Sequence, residues 1–310
     1  MIDPVFLVGA HRSGTTLLRL MIDSHPQIHF PGESEFITQL MNDNCEPPPI
    51  QEYHDFLQFD RVFLERNLTL NQNLSFTALV NDFLVQENTQ NLPVYGTTIH
   101  VNFACLAKLW PQAKFIYLYR DPRDVAKSCV KLGWSGNTWY GVEGWLKAEQ
   151  YLSRLQKMIT PNQLLLISYE DLIKNPPEIL TQICRFIGVE FSEKMFDFIE
   201  NSTYNYPDPK YLAQWKKQLS PQEIQWIEYR VGELLSMRGY EASEQPPIAV
   251  NALLLGRLKI SNVLGRLNSQ IKRYGLSLVI LEIVGRRLKI KSLKRKVQLK
   301  LNEIRRQRVK

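Results

Sequence analysis

The sequence contains few cysteines, and their spacing excludes the common zinc motifs. Only four occur in 310 residues. They lie far apart, with no C-x-x-C pair and no Cys/His spacing suited to tetrahedral zinc. We therefore predict no metal site, and we expect reduced, partly buried thiols at Cys45, Cys105, Cys129 and Cys184.

Two kinds of membrane-targeting segment are also missing. Asp3-Pro4 leads directly into an apolar stretch, without the basic region, long apolar core and cleavage site of a secretory leader. The longest apolar run, residues 276–284, contains Ser277 and Glu282 and is too short to cross a bilayer. The sequence therefore predicts a cytoplasmic location.

Acidic residues are scarce at one end of the chain only. The whole sequence has a net charge of +7. From residue 248 onward there are 17 Lys and Arg against two acidic residues, a net charge of +15. The preceding part has 21 basic and 29 acidic residues, a net charge of −8. The basic character of the protein thus belongs to its C-terminal part.

Short apolar or β-branched runs alternate with segments of helical spacing, which is typical of an α/β domain with a parallel sheet. The predicted strands are Val5 to Gly9, Val94 to Ile99, Phe115 to Arg120 and Leu164 to Tyr169. The predicted helices are Thr15 to Ser24, Phe103 to Leu109, Pro122 to Leu132, Tyr140 to Met158 and Pro177 to Ile187.

Two further segments complete the predicted organisation. A Gln245-Pro246-Pro247 break ends the main domain, residues 1–247, and residues 248–310 form a basic, helical C-terminal extension. Between Ile37 and Leu92, a triple-proline break and many Asn and Gln indicate irregular structure and helices inserted between strands. This insertion is either a cap on the substrate side or a set of surface helices.

The segment from Gly9 to Thr16 follows a strand, opens a helix and has the G-x-x-x-x-G spacing of a phosphate-binding loop. Thr15 occupies the position of the lysine that a P-loop NTPase uses on its triphosphate, which disfavours an ATPase or kinase. Arg12 supplies positive charge inside the loop instead, in a form suited to phosphate or sulfate oxygens.

Two blocks resemble those of one family. Arg12 to Leu18, followed by Ser24-His25-Pro26, resembles the 5′-phosphosulfate loop of sulfotransferases that use 3′-phosphoadenosine 5′-phosphosulfate (PAPS), particularly the tyrosylprotein-sulfotransferase-like and related bacterial group. Residues 115–124, with Ser128 beyond them, resemble the family's 3′-phosphate site. The resemblance implies a P-loop-like three-layer fold, with helices on both faces of a central parallel sheet and the basic helical extension added.

The resemblance also implies which residues bind PAPS and its product PAP, without a metal. Ser168-Tyr169-Glu170 is similar to the family's last strand, and Trp215-Lys216-Lys217 to a late basic loop that folds over the donor. A packed tyrosine and solvated lysines are the alternatives at these two places. The implied donor-binding residues are Arg12, Ser13, Gly14, Thr15, Thr16, Arg120, Ser128, Tyr169, Lys216 and Lys217.

Sulfuryl transfer needs a base for the acceptor proton and cations on the transferring group. Glu33 falls at the family's catalytic carboxylate, so it is the predicted base, with Glu35 in reserve, and Arg12 is the predicted stabiliser of the sulfuryl group. The family often places a lysine where this chain has Thr98. His100, or a lysine of the late basic loop, is a candidate replacement.

The predicted reaction is transfer of a sulfuryl group from PAPS to a hydroxyl or amine acceptor of unidentified class. A P-loop kinase-like enzyme and a non-catalytic PAP-binding scaffold are the alternatives. In residues 286–310, basic and aliphatic residues interleave as in a helix lying on an anionic membrane surface or an acidic partner. Nucleic acid is disfavoured because Tyr274 is the extension's one aromatic residue.

Overall fold

A parallel sheet of five strands forms the centre of the protein. The computed structural model describes residues 3–88, 91–288 and 291–308, without the side chains of residues 286, 291–295 and 305–308. The sheet has the order β2-β3-β1-β4-β5, and each neighbouring pair is parallel. Its strands are β1 (Val5–Val8), β2 (Ile28–His29), β3 (Val94–Ile99), β4 (Lys114–Tyr119) and β5 (Leu164–Ser168).

Helices connect the strands and cover both faces of the sheet. Short 3₁₀ helices span Glu35–Ile37, Phe103–Cys105, Pro161–Gln163, Glu193–Ile199 and Pro209–Tyr211. In the main domain the α-helices are α1 (Thr15–Asp23), α2 (Ile50–Leu57), α3 (Arg61–Glu65), α4 (Phe76–Glu87), α5 (Leu106–Leu109), α6 (Pro122–Lys131), α7 (Thr138–Gly141), α8 (Glu143–Leu155), α9 (Tyr169–Lys174), α10 (Pro176–Ile187), α11 (Trp215–Gln218), α12 (Pro221–Val231) and α13 (Leu234–Met237).

Alternate residues of the strands divide between two cores. Phe6 and Val8 of β1 pack in one core with Tyr117 of β4, while Leu7 lies in the other core with Ile116. Such alternation is expected for a sheet that is buried on both faces. The three-layer α/β prediction is therefore confirmed, and all four predicted strands exist with boundaries within one residue. β2, only two residues long, was not predicted.

The insertion contributes helices α2, α3 and α4, which pack on one face of the sheet. Phe36 contacts the rings of Phe63 and Phe83 edge-on, at centroid distances of 5.4 and 5.8 Å. Burial of three aromatic rings fixes this segment to the core. The insertion is thus packed onto the sheet, and its role as a substrate-side cap or as surface helices stays a prediction.

The structure corrects the prediction for two of the four cysteines. Cys45 and Cys105 form a disulfide bond, with their Cα atoms 5.0 Å apart. The bond joins the insertion to the segment after β3 across 60 residues of sequence, a proximity that only the fold creates. Cys129 and Cys184 are buried free thiols, as predicted, and burial raises the pKa of each to about 11.

The C-terminal extension is helical, as predicted. It consists of α14 (Ala252–Tyr274), α15 (Leu276–Arg287) and α16 (Lys291–Arg308). Lys289 and Ile290, part of the predicted basic helix, lie outside the described residues. Within the described ranges, no helix is both long enough and apolar enough to span a membrane.

Candidate active site

The loop between β1 and α1 has the shape of an anion-binding turn. The amide of Ser13 donates to the carbonyl of Ala10 at 3.2 Å, which tightens the turn. Gly14 caps α1 with φ of 96°, and a Cβ there would lie 2.3 Å from the Tyr169 ring. Only glycine satisfies both constraints. Arg12 also has a positive φ, 72°, so the loop aims this side chain in a direction that regular backbone does not reach.

A cleft of about 490 Å³, here called the loop cleft, opens beside this turn. Six of the predicted donor-binding residues line it: Arg12, Gly14, Thr15, Thr16, Arg120 and Tyr169. The sequence analysis did not identify residues 203–211 as part of the lining, although this segment is rich in tyrosine. The complete lining is Arg12, Gly14, Thr15, Thr16, Leu17, Arg120, Tyr169, Ile173, Thr203, Tyr204, Asn205, Tyr206, Pro207, Asp208 and Tyr211.

Arg120 is held at the end of β4 by three groups. Its guanidinium lies 4.2 Å from the centre of the Tyr169 ring, donates to the carbonyl of Tyr211 at 3.0 Å and lies 3.6 Å from the Asp124 carboxylate. Tyr169 therefore packs between the glycine of the loop and a cation of the cleft. The contact of Tyr169 with the donor stays a prediction.

Ser128 contacts Arg12 instead of Arg120. The Nε of Arg12 donates to Ser128 Oγ at 3.0 Å, so α6 and the loop are joined directly. The expected sharing of one phosphate by Arg120 and Ser128 stays a prediction. Ser13 Oγ is fully buried and has no hydrogen-bond partner among the described residues.

The lysines of the late basic loop do not line the loop cleft. Lys216 and Lys217 are exposed on α11, and the Lys216 ammonium lies 5.5 Å from the centre of the Trp215 ring. The amide of Trp215 donates to Asp124 Oδ1 at 2.8 Å, which anchors α11 near α6. The structure thus brings these lysines to the neighbourhood of the site and leaves them solvated.

A second cleft of about 250 Å³, here called the glutamate cleft, adjoins the first, because Thr16 lines both. It contains the predicted base Glu33 and the threonine in the lysine's place, Thr98, whose Oγ1 is buried without a partner among the described residues. Helix α3 of the insertion forms one wall. The lining is Thr16, Arg19, Pro31, Gly32, Glu33, Arg61, Val62, Glu65, Arg66 and Thr98.

Glu33, which lines the glutamate cleft, forms an ion pair with the buried His100. His100 Nε2 lies 3.8 Å from Glu33 Oε1 and 3.5 Å from Thr15 Oγ1, and its Nδ1 lies 2.8 Å from the carbonyl of Gly9. Burial favours the neutral imidazole, but the contact with Glu33 and the charges of both nearby glutamates raise the pKa of His100 above its usual value. The contact with His100 lowers the pKa of Glu33 to about 2.

The reserve base Glu35 has a different environment. It is buried, and its two carboxylate oxygens accept from the backbone amides of His100 at 2.7 Å and Val101 at 3.1 Å. Burial raises the pKa of Glu35 to about 7. Glu35 therefore fixes the segment after β3, whereas the Glu33 side chain is 41% exposed and faces a cleft.

His11 and Trp134 extend the site beyond the two clefts. The His11 ring lies 4.0 Å from that of His100 and 5.4 Å from that of Trp134. Burial and the charge of His100 lower the pKa of His11 to about 3, so it is neutral at pH 7. Trp134 is 47% exposed and also lies 6.0 Å from the Arg12 guanidinium. Sequence reasoning missed this tryptophan, which no motif marks.

Helix α14 packs against the loop that carries Trp134. Asn137 Nδ2 donates to the carbonyl of Leu258, the amide of Gly136 donates to Asn262 Oδ1, and Arg273 donates to the carbonyl of Leu132, at 2.7 to 2.8 Å. The predicted extension is therefore in contact with a loop of the site, which the proline break in the sequence did not suggest.

Comparison with known proteins agrees with this geometry. A Gallus gallus protein-tyrosine sulfotransferase is 22% identical over 78% of this chain and 71% of its own length, and a Drosophila melanogaster one is 21% identical over 78% and 52%. The chain thus spans about half of the Drosophila relative. The solved sulfotransferase domain from the curacin biosynthetic pathway matches 78% of this chain and 99% of its own, with 21% identity and a TM-score of 0.57.

The sequence model of the sulfotransferase family matches residues 4–193, well over half of the chain. That range includes both clefts' strands, the loop from Gly9 to Thr16 and the Glu33–His100 pair. The chain therefore belongs to the sulfotransferase family and is a PAPS-dependent sulfotransferase.

Proposed function

We propose that the loop cleft binds PAPS and that the glutamate cleft presents an acceptor hydroxyl to it, with Glu33 as base. The observation that carries the proposal is that the two clefts share Thr16 while Glu33 lies in the second alone. An in-line transfer needs donor and acceptor on opposite sides of the sulfur atom, with a base on the acceptor side.

The donor would lie with its 5′ end on the loop and its 3′-phosphate towards α6. Backbone amides at the start of α1 favour an anion, and Arg12 offers a forked contact to sulfuryl or phosphate oxygens. Arg120 and Ser128 would hold the 3′-phosphate once Ser128 exchanges its bond to Arg12 for one to the ligand. Tyr169 would border the adenine, and Lys216 and Lys217 would close over the bound donor from α11.

His100 would replace the lysine missing at Thr98. Its Nε2 lies within 4 Å of both Glu33 and Thr15, so an imidazolium there faces the base on one side and the loop on the other. A carboxylate with a pKa near 2 is a weak base. Donor binding would draw the imidazolium towards the sulfuryl oxygens, and the pKa of Glu33 would then rise towards the range of an effective base.

The chemical step follows from these positions. The acceptor oxygen forms a bond to sulfur while the bond between sulfur and the 5′-phosphate oxygen breaks. The acceptor proton passes to Glu33, and the electron pair of the broken bond leaves on the phosphate of PAP. Arg12 and His100 would stabilise the negative charge on the sulfuryl oxygens and the leaving oxygen.

The acceptor would carry a hydroxyl group. Some relatives are named as protein-tyrosine sulfotransferases, and a Mycobacterium bovis relative is named as an omega-hydroxy-beta-dihydromenaquinone-9 sulfotransferase. These names are consistent with hydroxyl acceptors whose remaining structures are very different. Trp134 and neutral His11 would contact the rest of the acceptor molecule beside the transferring group, because aromatic rings give apolar contact area at little cost in side-chain entropy.

Transfer of radiolabel tests the proposal. We would incubate the protein with sulfur-labelled PAPS and, separately, γ-labelled ATP with Mg²⁺, each with a tyrosine-containing peptide, 4-nitrophenol and a long-chain alcohol. The proposal predicts labelled product from PAPS and none from ATP. Transfer from ATP would support a kinase-like enzyme, and PAP binding with no transfer to any acceptor would support a scaffold; either result contradicts the proposal.

A further inference from the structure

The first helix of the C-terminal extension has two unlike faces. One face of α14 contacts the main domain through the buried Leu258 and through Asn262, which accepts from the amide of Gly136. Ser269 continues this face, since a Cβ added to Gly133 would lie 2.4 Å from it. Spacings of four and seven residues keep these three positions on one side of the helix. This side is occupied by protein.

The opposite face of α14 is apolar and open to solvent. Leu253, Ile260, Val263 and Leu264 are 67, 62, 58 and 60% exposed. At 3.6 residues per turn, these four positions fall on the side away from Leu258 and Asn262. Exposed aliphatic residues are ordinary when scattered, but a contiguous row marks a surface that is covered in use. We call this row the outer face of α14.

Helix α15 continues the apolar surface. Leu276, Ile280 and Val284 repeat every four residues and are exposed, together with Leu281. The opposite side of α15 is already used, because Leu278 packs in a small core of its own with residues of α16. The extension therefore buries one side of each helix and leaves an apolar side free. Half of the exposed large hydrophobic residues among those described lie in the extension.

The charge of the same surface indicates what kind of partner covers it. Helix α14 contains no acidic residue, and four of its basic residues are exposed. Helices α14 and α15 together contain seven basic residues and one acidic residue, so two copies of this surface would repel each other. An anionic bilayer satisfies both the charge and the apolar row. The exposed basic residues of α14 are Arg257, Lys259, Arg266 and Lys272.

We propose that the outer face of α14 and the exposed side of α15 dock this protein onto the surface of an anionic membrane. The apolar row enters the boundary between headgroups and acyl chains, and the flanking basic residues contact anionic headgroups. The surface lies N-terminal to the basic stretch 286–310 that the sequence analysis favoured.

Vesicle flotation of the full-length protein tests the docking. We expect flotation with phosphatidylcholine vesicles that contain about 30% phosphatidylglycerol, and at least about tenfold weaker binding to vesicles of phosphatidylcholine alone. Raising the salt concentration should weaken the binding, since screening reduces attraction to headgroups. Equal flotation with neutral vesicles, or none with anionic ones, would overturn the proposal.

Substitutions assign the binding to the outer face. The combined change Ile260→Ser, Val263→Ser and Leu264→Ser should lower the vesicle partition coefficient about tenfold or more. A matched control, Ile50→Ser, Val85→Ser and Ile199→Ser, removes three exposed aliphatic side chains elsewhere and should float like the wild type. Equal loss in both variants would overturn the assignment, as would a wild-type dimer in solution that the outer-face change dissociates.

The membrane docking and the proposed function can be tested separately. Flotation requires neither donor nor acceptor, so a protein that floats without transferring sulfate retains the docking and loses the enzymatic proposal. Thermal shift with PAP shows that the outer-face variant is folded. Equal PAP stabilisation of this variant and the wild type, with loss of flotation in the variant alone, is the result that we expect.

Discussion

The two clefts differ in how their residues come together along the chain. The loop cleft takes a large part of its wall from one turn, residues 12–17, whereas the glutamate cleft assembles Arg19, Glu33, Arg66 and Thr98 from α1, the segment after β2, the insertion and β3. The run from Arg12 to Leu17 is visible as a motif, whereas residues 203–211 of the same cleft are not. A site made by distant segments exists only after the sheet has formed.

This difference suggests a division of labour, with donor recognition in the loop cleft and acceptor chemistry in the glutamate cleft. Residues of the first should therefore affect PAP binding and turnover together. Residues of the second should affect turnover while PAP binding is kept. The variants below break or sharpen this contrast, in order of decreasing effect.

Arg12→Ala should have the largest effect. Removing one preorganised donor to a developing oxyanion typically lowers kcat by about 10²- to 10³-fold, and loss of a cation belongs at the upper end. PAP affinity should fall as well, because Arg12 lines the loop cleft. Steady-state kinetics with labelled PAPS and calorimetry with PAP measure the two effects. Arg185→Ala, at an exposed arginine of α10, is the control; wild-type kcat in Arg12→Ala would refute the role.

Glu33→Gln should lower kcat by about 10²-fold, a typical contribution of general base catalysis, and leave PAP affinity unchanged. Glu65→Gln is the matched control, since Glu65 lines the same cleft. Glu35→Gln should lower thermal stability instead, because Glu35 holds two backbone amides. A larger kinetic effect in Glu35→Gln than in Glu33→Gln would move the base to the reserve residue.

The His100–Glu33 pair should give the reaction an alkaline limb. The mechanism needs a charged His100 and an ionised Glu33. Because the pKa of His100 is raised in the free protein, kcat/KM should persist below this pKa and fall as the pH rises through it, while the low pKa of Glu33 keeps that group ionised in the free protein down to about pH 2. The pair's contribution to stability has the same sign, since it is lost as the pH rises through the raised pKa.

His100→Gln tests the origin of this limb. The variant keeps a hydrogen-bonding side chain and removes the titrating charge, so kcat should fall roughly tenfold at pH 7 and the alkaline decline should disappear. A pH–rate profile of both proteins measures this. An unchanged alkaline limb in His100→Gln would show that another group is responsible.

Trp134→Ala should have the smallest effect. Since this side chain is about half exposed, its loss should leave stability within about 0.5 kcal/mol. The KM for the acceptor found by the radiolabel assay should rise about five- to tenfold, the value of an aromatic contact, with KM for PAPS unchanged. Trp134→Phe should recover most of the loss. A rise in KM for PAPS alone would place Trp134 on the donor side.

The sequence predicted the fold and much of the loop cleft because both depend on short sequence patterns. The continuous apolar runs of β1 and β4, and the glycines that frame the loop, are each visible in a few consecutive residues. The structure brings six of the predicted donor-binding residues to one cleft: Arg12, Gly14, Thr15, Thr16, Arg120 and Tyr169.

What sequence reasoning missed depends on long-range contacts. The Cys45–Cys105 bond joins residues 60 positions apart, and two hydrogen bonds between α14 and the Trp134 loop each pair a side chain with a backbone group, 121 and 126 positions apart. The same limit applies to Ser128, whose bond to Arg12 spans 116 positions. The resemblance implied a place for Ser128 in the 3′-phosphate site and gave no indication of its contact with Arg12.

Calorimetric titration with PAP and ADP, of the wild type and Arg120→Ala, tests the assignment of the loop cleft most directly. Both ligands carry two phosphates, but PAP has its second phosphate on the ribose 3′ oxygen, the position that marks the sulfuryl donor, whereas ADP has it on the 5′-phosphate. The wild type should bind PAP at least about tenfold more tightly than ADP, corresponding to about 1.4 kcal/mol. In Arg120→Ala the two affinities should become nearly equal. Equal affinity of the wild type for PAP and ADP would contradict the account.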